Sequence, residues 1–220
     1  VYLRQAYYPQ GFDFPFSQQM LSVESLRESA TMVMLISIGI LAGKNSLQRF
    51  AYFLYTFAIW DIFYYVWLKL LLNWPPSLLT WDVLFLIPVP WIGPVLAPIL
   101  TSLTMIMFGG IIICLQEKGY RVEIKLFEWS ITFLGAFLIL LTFVWDYSKI
   151  IVGEFLISDF ATLSKPGHFC EVISHYKPTH YNWHLFFIGE VLILCAIGLI
   201  HRRTWGDVMS SRSNIDSANQ

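Results

Sequence analysis

Five stretches of about 20 largely apolar residues, separated by turn residues and charge, restrict this chain more than any other feature. At about 1.5 Å of rise per residue, a helix of that length crosses a hydrocarbon layer roughly 30 Å thick. The stretches run from about Leu21 to Ala42, Phe50 to Asn73, Pro90 to Leu115, Leu126 to Ile151 and Trp183 to Ile200. Gly43 and Lys44 close the first, and Pro75 with Pro76 closes the second, because proline neither donates a backbone hydrogen bond nor continues a helix. The expected fold is therefore all-α, a polytopic helical integral membrane protein of about five transmembrane helices. One domain covers 1–206, with an outer loop at 152–182. The Ser-, Asn- and Asp-rich tail at 207–220 has the composition of a disordered cytoplasmic segment.

Composition agrees with that solvent. Hydrophobic residues make up 56% of the 220 positions and charged residues 13%, with a mean hydropathy of +0.59. A soluble domain carries roughly 25% charge. Disulfide scaffolds, disordered chains and free cytosolic enzymes are excluded. A net charge of −1 provides no basic field for nucleic acid. Cys114, Cys170 and Cys195 show no CxxC spacing, so neither a disulfide framework nor a structural zinc site is implied. Val1–Gln19 lacks the form of a signal peptide, and the start at Val1 leaves room for a preceding helix that would change the span count.

The segment LFLIPVPWIGPVLAP, Leu84 to Pro98, holds four prolines in eleven residues and is expected as an interfacial or re-entrant approach to the third span. Lys44 and Arg49, then Lys118, Arg121 and Lys125, then Arg202 and Arg203 all fall on one side of the spans. The opposite side holds only Lys165 and Lys177 in its longer loop and no base in its shorter one. By the positive-inside rule the dense side is cytoplasmic, as in a bacterial inner membrane, with the N-terminus outside and the C-terminus inside. Trp74, Trp81, Trp91, Trp145 and Trp183 fall at outer ends and Trp129 and Trp205 near inner ones, as interfacial indoles do.

Acids inside spans are costly, about 2.5 to 3.5 kcal/mol near the bilayer centre, and direct attention to function. Glu24 and Glu28 share a face of the first span beside Arg27. Asp61 lies near the middle of the second, Asp146 in the outer part of the fourth, and Glu190 about two turns into the fifth. They form either an outward-opening proton or cation site or interhelical ion pairs, with Arg27 serving Glu24 or Asp61 and Lys69 reaching outward.

The outer loop GHFCEVISHYKPTHYNWH contains His168, Cys170, Glu171, His175, His180 and His184, including four of the five histidines. If Pro178 opens the fifth helix, His180 and His184 point from one face as metal ligands, and Glu24 or Glu28 completes the set. The alternative is packing and hydrogen bonding in an interfacial girdle. A haem held between spans needs histidines in two helices, and His201 is the only other one. No GxGxxG, P-loop, GxSxG or CxxCH occurs.

The second span, RFAYFLYTFAIWDIFYYVWLKLLLNW, carries eleven aromatics, with Trp60, Trp67 and Trp74 recurring every seven residues. Trp60, Asp61, Tyr64 and Trp67 form a surface suited to a flat ring such as a quinone, carotenoid or chlorin, with Asp61 accepting from Tyr65 or from a Tyr or Trp of another helix. Helix packing and lipid contact use the same pattern. Three function classes follow. One is an integral membrane subunit of a larger complex, non-catalytic or contacting a cofactor in electron transfer. The others are an intramembrane enzyme with an outward His/carboxylate metal site and a small proton or ion transporter. The partners implied are the lipid bilayer and other membrane subunits.

Overall fold

The computed structural model describes residues 18–154 and 180–218. Its helices are α1 (Gln18–Ala42), α2 (Ser46–Leu72), α3 (Leu96–Glu117), α4 (Leu126–Glu154) and α5 (Trp183–Ala218). A two-stranded antiparallel hairpin, β1 (Trp81–Phe85) and β2 (Trp91–Pro94), lies between α2 and α3 in sequence. Each helix contains 20–27 residues long and apolar enough to cross a membrane. The protein is an all-α, multi-span integral membrane protein.

The helix ends follow local chemistry. Asn45 caps α2 by accepting from the Gln48 backbone N–H at 2.9 Å, while Gln48 reaches back to the Lys44 N–H at 2.7 Å. That reciprocal pair satisfies donors that the first turn leaves orphaned. At its other end α2 stops at Asn73 in the left-handed region (φ 51°), whose N–H bonds the Lys69 carbonyl. Gly119, at φ 83°, ends α3 in a Schellman motif, with the Tyr120 N–H on the Leu115 carbonyl and its own N–H on that of Gln116.

The proline-rich segment departs from expectation. From Trp81 to Pro94 it forms a β-hairpin, a strand pair that the expected approach did not include, with Asp82 opposite Gly93 and an irregularity between Val83 and Phe85. Pro88 and Pro90 fall in its connection, where no ladder donor is required, and Pro94 ends β2. The third helix begins at Leu96, so Pro98 occupies a first-turn position whose N–H would lack an intrahelical partner anyway. The last helix continues to Ala218, through the stretch whose composition suggested disorder. Extending an existing helix fixes one residue per added hydrogen bond, and composition alone does not register this.

Contacts divide the chain into two compact units. One comprises Val1–Met34, Trp60–Leu100 and Leu140–Trp183; the other comprises Leu35–Ile59, Thr101–Ile139 and His184–Gln220. In the first, Tyr65, Leu68, Leu72, Trp74 and Val95 form a buried cluster. The hairpin of this unit is covered by aromatic rings: Trp91 stacks on Phe143 at 6.0 Å, Phe143 on Tyr181 at 6.4 Å, and Tyr181 meets Trp81 edge-on at 6.1 Å.

In the second unit, glycines set the helix spacing. A Cβ on Gly39 of α1 would lie 2.7 Å from the Arg49 carbonyl of α2, and one on Gly109 of α3 2.7 Å from the Ala51 carbonyl. Gly135 of α4 and Gly189 of α5 face each other, each blocking a Cβ on the other at 2.6–2.7 Å. Small residues at such crossings let backbones approach where lipid supplies no hydrophobic drive between helices. Gly135→Leu is expected to destabilise the protein by about 1–3 kcal/mol through overpacking. Gly198→Ala, which meets nothing within 4 Å, should be near neutral. Thermal unfolding of both variants in one detergent checks this.

Candidate functional site

Polar side chains of the first unit gather along α1, the second half of α2 and the hairpin. Arg27 forms a fork with Glu24, Nη2 to Oε1 at 2.5 Å and Nε to Oε2 at 3.1 Å, and its guanidinium lies 6.0 Å from the Tyr64 ring. Glu28 is buried and accepts the Leu86 backbone N–H at 2.9 Å. Asp82 is fully buried, and the Tyr65 hydroxyl donates to its Oδ2 at 3.2 Å. The Lys69 ammonium donates to the Pro75 carbonyl at 3.0 Å. Beside it an open groove of about 300 Å³ is lined by Ile62, Tyr65, Val66, Leu78, Val95 and Ile99, among others.

Arg27 pairs with Glu24, one of the two acids expected for it. The hairpin brings the Asp82 carboxylate to the Tyr65 hydroxyl; Asp61 is half-buried on α2. The triple tryptophan stripe is broken. Trp60 stacks on Tyr64 at 6.0 Å and Trp67 is 55% exposed, but Trp74 lies beyond the end of α2 and is only 5% exposed, packed against Tyr65. Trp74 thus belongs to the core and not to an interfacial girdle.

The histidine pair is also displaced. The fifth helix begins at Trp183, so His180 precedes it, and the four-residue spacing to His184 places no common helical face. Both side chains are exposed. Among the described residues no three His, Cys, Asp or Glu side chains are grouped to hold a metal. His180, His184, Glu24 and Glu28 therefore form no such set, and Glu24 and Glu28 are engaged by Arg27 and Leu86. His168, Cys170, Glu171, His175 and Pro178 lie outside the described residues, as does the side chain of Asp146.

In the second unit Glu190 of α5 is 6% exposed and accepts from two hydroxyls of α3, Thr101 at 2.9 Å and Thr104 at 2.6 Å. Glu128, in the first turn of α4, accepts the Lys125 N–H at 2.7 Å and a fork from Arg203 at 3.1 and 2.8 Å. Arg203 also donates to the Glu123 carbonyl. Sequence reading passed over Glu128 because it lies at the edge of a span, although the acid three residues after Lys125 is half of a capping box. An open cleft of about 410 Å³ lies among Lys44, Asn45, Gln48, Gln116, Tyr120 and Arg121, among others. There Gln48 donates to Glu117 at 2.7 Å.

No protein family, curated protein or solved structure matches this chain. The Glu128–Arg203 pair provides a measurable consequence. Arg203→Met leaves a carboxylate 6% exposed without its guanidinium and should cost about 3 kcal/mol, the low end for breaking a buried pair, because Arg203 itself keeps 23% exposure. Adding Glu128→Gln should recover part of that loss. Unfolding midpoints of the single and double variants in detergent would read both effects.

Proposed function

We propose that this protein is an integral membrane subunit of a larger membrane complex, non-catalytic itself, and that the aromatic face of α2 contacts a partner or a cofactor. The observation that carries this reading is the exposure of Trp67, 55%, one face-repeat along α2 from the stacked pair Trp60 and Tyr64. Only 17% of the most apolar stretch of α1 and of α2 is buried, against 33–39% in α3, α4 and α5. An aromatic surface on a helix with so few intramolecular neighbours suits a flat conjugated ring such as a quinone, carotenoid or chlorin, and through it a place in electron transfer.

Five acids bonded within the fold support a non-catalytic role. Glu24, Glu28, Asp82, Glu128 and Glu190 are each bonded within the fold. The basic residues Lys44, Arg49, Lys118, Arg121, Lys125, Arg202 and Arg203 support a bacterial inner membrane with the C-terminus cytoplasmic.

Extraction in mild detergent is expected to recover the protein with partner chains or a bound ring compound. Trp67→Ala should weaken that association by about 2 kcal/mol, roughly thirtyfold in affinity, as loss of a central tryptophan does. A stable monomer carrying no pigment or quinone, with Trp67→Ala indistinguishable from it, would overturn the reading.

A further inference from the structure

Glu190 lies within a candidate span, and both of its carboxylate oxygens accept from side-chain hydroxyls. Glu128 meets a guanidinium and Glu24 another, whereas the described partners of Glu190 are two neutral hydroxyls. The residue is 6% exposed, near the start of the most apolar of the five candidate spans, with mean hydropathy 2.2. One turn before it on α5 is Phe186, fully buried, and three residues after it is Ile193, buried against the α4 crossing. The adjacent Gly189 faces Gly135 of α4, which turns Glu190 toward α3 instead.

On α3, Thr101 and Thr104 are three residues apart and present both hydroxyls on one face. In a helix such a hydroxyl can bond a carbonyl of its own preceding turn. Here both are directed at the carboxylate, one to each oxygen. Four oxygens thus converge in an apolar setting, and no basic side chain makes a salt bridge to Glu190 among the described residues. Inside a membrane an ionised carboxylate without a counter-charge is expensive, and such residues mark ion pathways and proton relays. Oxygen-only surroundings suit a hard cation.

We propose that Glu190, Thr101 and Thr104 form an intramembrane binding site for one small monovalent cation held on oxygen, carried either by a proton or by a sodium ion. The charge that binds there neutralises the carboxylate, and the two threonines select a small occupant by fixing both carboxylate oxygens. The site needs no partner chain, so it stands or falls independently of the aromatic surface on α2.

Infrared difference spectra of the reconstituted full chain against Glu190→Gln test this. The variant keeps a side-chain oxygen to accept from the threonines. A protonated carboxyl C=O band that vanishes in Glu190→Gln and shifts in deuterated buffer identifies the proton. Carboxylate bands that shift when sodium replaces choline identify sodium. Carboxylate bands indifferent to both exchanges, or a protonated band that never exchanges, overturn the proposal.

A second measurement needs no variant. A hydrophobic carbodiimide reacts only with a protonated carboxyl, so wild-type protein should be modified at Glu190 in choline buffer. If sodium is the occupant, protection of about tenfold is expected at sodium roughly ten times its Kd, by mass action. Modification at Glu190 unaffected by sodium assigns the proton. Absence of modification in choline buffer, together with sodium-insensitive carboxylate bands, removes the site.

Discussion

In hydrocarbon no water is available to a backbone N–H or C=O, so every such group has to be satisfied by the protein itself. This requirement orders the rest of the structure. Helices meet it within their own length, which is why five apolar stretches become five helices. Where prolines remove donors between Leu84 and Pro98, the chain meets it by pairing β1 with β2. The hairpin is then covered by Phe143 and Tyr181, and the chain on either side is tied by the Val95 N–H to the Thr80 carbonyl and the Leu96 N–H to that of Leu78. Irregular backbone in such a protein is admissible where protein surrounds it.

Side chains obey the same requirement at higher stakes, because a low dielectric strengthens a satisfied polar group and penalises an unsatisfied one. Three solutions recur here. Glu128 has a guanidinium fork, Glu28 a backbone N–H supplied by the hairpin, and Asp82 a tyrosine hydroxyl from α2. Each ties together elements distant in sequence. Of the acids that stood out in a linear reading, Glu28 is thus tied into the framework, together with Asp82 and Glu128, which did not stand out.

The spans were legible because the signal was local: length, apolarity and the stops at Gly43 and Pro75 depend on neighbouring residues alone. The hairpin was not, since a run such as VLFLIPVPWIGP is compatible with strand or helix start until its cover is known. Tertiary partners were the least visible. The Tyr65–Asp82 bond, and Trp74 entering the core beyond the end of α2, both depend on where the segment after Asn73 returns. The apolar run placed the start of the fifth span at Trp183, where the helix begins, and His180 would share a face with His184 only if Pro178 had opened it.

Glu128 and Arg203 lie 75 positions apart, and that separation has a temporal meaning. A chain made from its N-terminus places α4 in the membrane while Arg203 is still to be synthesised. During that interval the carboxylate that caps α4 has only the Lys125 N–H of its own turn to hold it. The fourth span therefore reaches its final state only when the fifth arrives. The contact that completes the cap of α4 thus closes after the span it caps has been made.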